Sequence, residues 1–163
     1  MKGKGSVILI VGKKDAGKTT RARGLLGGIK KKKYIFDARG EWTGTQNFDF
    51  DLWLESALTK KNSCFVVEEA TIFLSSDNRD KRVIRWLSGA SHDNNIIILL
   101  FHSWRRVPVY ILDLTDFYFC LKTNDEPGFM ANKFRGFNEL IQTFEEVRKS
   151  FNPHAHVVKK NAV

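Results

Sequence analysis

Cysteine is scarce in this chain: two residues, Cys64 and Cys120, among 163. Both fall inside apolar, strand-like runs and read as free buried thiols, which argues against a disulfide-stapled scaffold. Long apolar runs are also missing. The longest, residues 96–101, is far below the ~20 residues a membrane-spanning helix needs. Residues 1–6 are basic and glycine-rich and lead into only five apolar residues, 7–11, with no small-residue cleavage site, so no secretory signal is read there. Internal repeats are absent. Acidic residues are the minority, 18 against 27 lysines and arginines, leaving a net charge of +9 and a pI of about 9.7. These absences point inside a cell. The charge favours a polyanionic partner, nucleic acid first, over a merely solvated basic surface.

A hydrophobic content of 42% suits a globular protein, and the length suits one domain. Apolar runs at 7–11, 34–36, 63–67, 96–101 and 117–121 read as strands. Amphipathic stretches at 19–26, 51–58 and 80–90 read as helices, with Asp49 or Asp51 as a candidate N-cap of the second. The clearest helix covers 137–151, where Phe137, Leu140, Ile141, Phe144, Val147 and Phe151 share one face. Strands without polar alternation, separated by helices, imply an α/β fold with a mainly parallel sheet covered on both sides, a three-layer αβα sandwich. Residues 1–151 form that domain, with the lysine run 30–33 as a helix-to-strand loop and 152–163 as a loose C-terminal tail.

The stretch "GKKDAGKT", residues 12–19, fits G-x-x-x-x-G-K-[ST] and lies between a strand and a helix, as the motif requires. Its glycines let backbone N–H groups curl around phosphate oxygens, and the helix N-terminus adds its positive end. Gly12, Lys13, Lys14, Asp15, Ala16, Gly17, Lys18, Thr19 and Thr20 form the nucleotide-binding set. Lys18 reaches the β- and γ-phosphates of ATP, and the Thr19 hydroxyl holds Mg²⁺. Motor ATPases share this loop with small kinases. At the end of the third strand, expected beside the phosphate-loop strand, Glu68 and Glu69 stand side by side where ligands of parallel sheets bind. One carboxylate of such a pair orients the metal and its waters, and the other polarises an attacking water. The pair favours hydrolysis over transfer to a small acceptor.

Two further stretches carry a family resemblance. "YIFDARGEW", residues 34–42, resembles the D-x-x-G-E-aromatic segment of HerA-type translocases, and "FVVEEATIFL", 65–74, is similar to their Walker B segment. Residues 92–125 look like the following strand, polar sensor, proline turn and last core strand. The match covers roughly 7–125 in consistent order and resembles the FtsK/HerA superfamily of DNA-pumping ring ATPases, a RecA-like ASCE P-loop fold. Cellular members carry extra domains for which this length leaves no room. The resemblance therefore narrows to minimal genome-packaging ATPases of tailless, membrane-containing or related icosahedral viruses.

That resemblance implies a Mg²⁺-dependent ATPase coupled to DNA translocation, with Lys18 and Thr19 as Walker A. Glu68 becomes the metal-side acid and Glu69 the catalytic base. It also implies a homo-oligomeric ring, a pentamer or hexamer, gripping DNA without reading sequence, and docking of the ring on a capsid vertex protein. The location implied is host cytoplasm or virion, not a secreted protein. His102 and Ser103 stand where relatives often have glutamine, as candidate γ-phosphate sensors, and Ser91-His92 replaces an arginine-bearing pair of some relatives. A trans-acting arginine must then come from elsewhere. Arg79, Arg82 and Arg85 step by three along one helix and are the candidates, with Arg105 and Arg106 behind them. DNA phosphates have Lys13, Lys14, the 30–33 run, Arg105, Arg106, Lys159 and Lys160 as candidate contacts. His154 and His156 lack the company a metal site needs, so no metal beyond Mg²⁺ is expected. A small-molecule kinase, a filamentous-phage-type assembly ATPase and a nucleotide-dependent scaffold or switch remain as alternatives.

Overall fold

Five apolar strands pair in parallel, and a sixth closes one edge in the opposite direction. The computed structural model describes residues 4–42, 49–75 and 79–161; residues 1–3 of the basic N-terminal stretch and the last two of the tail lie outside them. The elements run β1 (Ser6–Val11), α1 (Lys18–Gly27), β2 (Lys32–Phe36), α2 (Phe50–Ala57), β3 (Ser63–Val67), α3 (Ala70–Phe73), α4 (Lys81–Ser88) and β4 (Ile96–Phe101). A 3-10 turn (Trp104–Arg106) then leads to α5 (Val109–Asp113), β5 (Phe117–Leu121), α6 (Pro127–Lys133), α7 (Asn138–Lys149) and β6 (His156–Lys160).

The sheet order is β2-β3-β4-β1-β5-β6. The strand bearing the two glutamates is therefore not next to the phosphate-loop strand, as the sequence suggested. β4 lies between them, pairing with β1 on one side and β3 on the other. Because all three run parallel, their carboxyl ends still open on the same edge. Alternate side chains of these strands feed two cores. Ile10, Cys64, Val66, Ile98 and Leu100 meet Ala22 and Leu26 of α1 on one face. Leu9, Phe65, Val67, Leu99 and Phe101 meet α2, α4, α6 and α7 on the other. Full burial of both faces explains why these strands show no polar alternation. The two thiols end up in different strands, free and buried, and burial pushes Cys64 to about 11 and Cys120 to about 12. At those values neither is a ready nucleophile.

Asp49 starts α2: its Oδ1 accepts from Leu52 N at 3.0 Å, satisfying one of the helix's orphan donors. Asp49→Ala should destabilise the protein by about 1 kcal/mol, measured by denaturant titration. That cap holds a helix whose Trp53 stands edge-on to Phe36, Phe65 and Trp86, tying α2 to the sheet and to α4.

Two expectations for the C-terminal region change. Phe151, expected on the apolar face of the last helix, is fully exposed. The helix stops at Lys149 and Ser150 turns extended, with ψ 140°, so the helical face does not continue to Phe151. Residues 156–160, expected in a loose tail, pair antiparallel with β5 from Leu121↔His156 to Phe117↔Lys160. Lys122 Nζ anchors the intervening turn on the carbonyls of Arg148 and Ser150.

Candidate active site

The phosphate loop leaves β1 under tight packing. A Cβ at Gly12 would lie 2.8 Å from the Leu121 Cβ and 3.2 Å from the Ala16 Cβ, so only glycine passes there. Gly17 turns with φ 104°, a conformation that favours glycine, and delivers the chain into α1. Gly12 N donates to Phe101 O at 3.0 Å and Lys13 N to Lys122 O at 2.7 Å, so β4 and β5 both hold the loop. Lys18 is buried, and its Nζ donates to Lys13 O at 3.1 Å. Burial pulls this ammonium below its usual range, against the partial support of Glu68, Glu69 and Asp15.

The two acids are buried as well, at 7% and 4% exposure, which carboxylates seldom tolerate without partners. All four of their oxygens have one. Glu68 Oε1 accepts from Thr19 Oγ1 at 2.8 Å and Oε2 from the Trp42 indole Nε1 at 2.5 Å. Glu69 Oε1 faces Arg39 Nε at 3.3 Å, and Oε2 faces His102 Nε2 at 3.2 Å. The neighbouring residues thus have different surroundings: Glu68 joins the phosphate loop, and Glu69 looks across a cavity.

That cavity, about 760 Å³, is lined by residues 14–21 together with Arg39, Glu41, Glu68, Glu69, His102 and His154. Of the predicted binding set, Gly12 and Lys13 form the loop's base rather than the cavity wall. His102 sits at the end of β4, its backbone N held by Thr71 Oγ1 of α3 at 2.8 Å. Ser103 precedes the 3-10 turn, which Asp125 holds at Trp104 N and Arg105 N, and does not line the cavity.

No family model matches the sequence, and no curated protein matches it. Solved structures do match the fold. The genome packaging NTPase B204 from Sulfolobus turreted icosahedral virus 2, in complex with ATPγS, superposes with a TM-score of 0.76 at 12% identity, over 96% of this chain and 92% of that one. This chain shares that protein's fold. B204 of Sulfolobus turreted icosahedral virus, described as a DNA-packaging ATPase, gives 0.75 at 14% identity over 96% and 92%. The N-terminal domain of zonular occludens toxin from Neisseria meningitidis gives 0.54 at 16%, over 80% and 91%. The architecture implied by the FtsK/HerA resemblance is the one observed, and B204 has been solved with ATPγS and AMPPCP.

Within this fold the candidate arginines separate. Arg82 is held by Asp51, Glu55 and Asp80 at 2.6, 3.2 and 3.1 Å, and Asp80 first among them keeps its guanidinium firmly charged. Arg79 lines a separate cavity with Phe50, Phe73 and Tyr110, and Arg85 is exposed on α4. None of the three lines the phosphate-loop cavity of its own chain. Arg105 stacks over Phe129 at 4.5 Å. The lysine run is at the amino end of β2, away from the phosphate loop. There Lys31 is tied to Asn62 Oδ1 and Asn94 O, and Lys33 to Ile29 O. Lys159 pairs with Glu139 at 3.6 Å.

Arg39 and Trp42 received no role in the sequence reading. They occupy one turn whose backbone is fixed by the fully buried Asp37: its carboxylate accepts from Arg39 N at 3.1 Å and Trp42 N at 2.7 Å. The aspartate, glycine and aromatic of "DARGEW" were visible as a motif, whereas Arg39 fills one of its two open positions.

Proposed function

We propose that this chain is an ATP-driven DNA translocase, a viral genome-packaging motor that works as a homo-oligomeric ring. The observation that carries the reading is the division of labour between two adjacent buried acids. Glu68 is bonded to the phosphate-loop hydroxyl of Thr19, and Glu69 faces the cavity beside Arg39 and His102. Such a pair favours hydrolysis over transfer to a small acceptor. The fold match to B204 and the charge of +9 support the same reading.

ATP lies with its phosphates over residues 12–20, and Lys18 exchanges the Lys13 carbonyl for phosphate oxygens. The hydroxyl of Thr19 and the carboxylate of Glu68 are hard oxygen donors already in contact, the donor chemistry Mg²⁺ takes. Thr19 and Glu68 would hold Mg²⁺ there, and the ion would supply positive charge to offset that of the phosphates. Glu69 accepts a proton from a water on the far side of the γ-phosphate. The water oxygen bonds to phosphorus as the bond to the β–γ bridging oxygen breaks, and ADP keeps that electron pair. The products are ADP, phosphate and one proton. His102, on the cavity wall beside Glu69, holds that acid and reports on the cavity's contents; Ser103 begins the turn beyond it, its carbonyl accepting from Arg106 N.

In the ring, ATP sits between subunits, and the trans arginine comes from Arg79 or Arg85, since Arg82 is already held by three carboxylates. Lys13, Lys14, the exposed members of the 30–33 run, Arg106 and Lys160 are the basic groups available for DNA backbone. A pentamer or hexamer docked on a capsid vertex protein, in host cytoplasm or virion, is the setting. Among the described residues no helix is long and apolar enough to cross a membrane.

ATP hydrolysis should rise severalfold on adding double- or single-stranded DNA of unrelated sequence, and the stimulation should fade as salt rises, because backbone binding releases counterions. Hydrolysis indifferent to DNA, from a protein that stays monomeric with ATP and DNA, would remove the motor reading. ATP consumption that required a small acceptor would replace it with a kinase.

A further inference from the structure

Among the described residues two arginines line the phosphate-loop cavity, Arg21 and Arg39. Arg21 is on α1 with its Nη2 against His156 Nδ1 at 3.0 Å. Arg39 stands next to the second acid, and the two sides of its ion pair differ sharply: the side chain of Arg39 is 60% exposed and that of Glu69 5%. The carboxylate is fixed in the protein, while the guanidinium reaches it from open solvent. Most of the Arg39 side chain is already in water, so it can swing away without being desolvated, while burial keeps Glu69 in place.

The backbone under Arg39 does not share that freedom. Asp37 holds the turn at Arg39 N and Trp42 N, Gly40 N donates to Asp37 O at 3.3 Å, and Gly40 turns with φ 70°. The Trp42 indole, at the far end of the turn, is bonded to Glu68. One short turn therefore touches both acids, with a rigid base and a mobile cation. A terminal phosphate seated by Lys18 and Thr19 carries more charge and more acceptor oxygens than one carboxylate, in a geometry a guanidinium matches with two parallel bonds.

We infer that Arg39 is a catalytic arginine supplied in cis: it pairs with Glu69 in the empty site and moves to the γ-phosphate when ATP fills it. The inference rests on the ATPase reading above. The same movement frees Oε1 of Glu69 to accept from the attacking water, so arrival of the triphosphate arms the base. Charge spreading over the γ-phosphate oxygens is then met from within the chain, and an arginine from the neighbour adds to a site that already has one.

Mixing variants of different subunits tests this. Arg39→Ala should lower kcat about a hundredfold, somewhat less than the 10³–10⁵ associated with a sole arginine finger, while the KM for ATP changes less than about threefold. Arg39→Lys should recover part of the loss. In mixtures of Arg39→Ala with Lys18→Ala chains, a cis arginine leaves every site defective and activity stays low at all ratios. Recovery in the mixtures would assign Arg39 to the neighbouring site and overturn the inference. So would near-native kcat in Arg39→Ala, and in that case inactive Lys18→Ala and Glu69→Gln chains would leave the ATPase reading standing. A wild-type chain with no ATPase activity would end both. If Arg39→Ala does not fold, Arg39→Gln enters the same mixing experiment.

Discussion

Glu69→Gln should bind ATP about as tightly as the wild-type chain and hydrolyse it roughly 10²–10⁴ times more slowly, the range for removing a positioned general base. Shape is conserved by the change, and so is most of the local bonding. The amide oxygen still accepts from Arg39, whose Nε lies 3.3 Å from Oε1, and the amide NH₂ meets His102 Nε2, 3.2 Å from Oε2, when the imidazole carries its proton on Nδ1. What the amide loses is the ability to take a proton from water. The phosphate contacts proposed for Lys18 and the loop N–H groups are untouched, which is why affinity and turnover should separate. Equilibrium binding of ATP beside single-turnover hydrolysis makes the comparison. Turnover near the wild-type rate would remove Glu69 as the base and leave the buried pair of acids without its proposed chemistry.

That separation of roles was only half legible in the amino-acid sequence. The phosphate loop was readable because its glycines answer a local requirement: Gly12 has no room for a Cβ, and Gly17 sits at positive φ. β3 and β4 were readable to the residue because strands buried on both faces leave nearly unbroken apolar runs, and β5 because its five residues are apolar or aromatic although Phe117 is exposed. Sheet order was not, since nothing in the order of strands along the chain says that β4 inserts between β1 and β3. β6 escaped for a related reason. Its sequence, HVVKK, alternates weakly, and what makes it a strand is the exposed edge of β5 rather than its own propensity. The helices α3, α5 and α6 are four, five and seven residues long, too short to display a period. Arg82 shows the limit of face-counting on a single helix. The spacing of three put it on a candidate face, but the carboxylates that engage it from α2, Asp51 and Glu55, are four residues apart on another helix. That i,i+4 acidic pair was a signal available for a receiving face. Arg39 offered none. An exposed arginine in a loop acquires meaning only when folding sets Glu69 beside it.

Lys18→Met should abolish nucleotide binding without weakening the empty protein. Lys18 is nearly buried, and desolvation outweighs the attraction of Glu68, Glu69 and Asp15, so its folded pKa lies below 10.5. The sign follows directly. Between the lowered folded value and 10.5 the unfolded chain binds more protons than the folded one, so stability rises with pH through that window. Below it, at neutral pH, the buried charge is a net burden on the folded state. A methionine of similar length fills the same space and removes that burden, so the empty variant should melt no lower than the wild-type chain. On the proposed reading, a phosphate meets that charge when ATP binds. At ATP a hundred times above its dissociation constant, linkage should stabilise the wild-type protein by about 2.7 kcal/mol, or roughly 5–10 °C in Tm for a chain of this size. In Lys18→Met that shift should vanish. A variant that melted several degrees lower when empty would mean that the two acids depend on Lys18 more than burial penalises it. An ATP-induced shift of wild-type size would move the phosphate site away from residues 12–20.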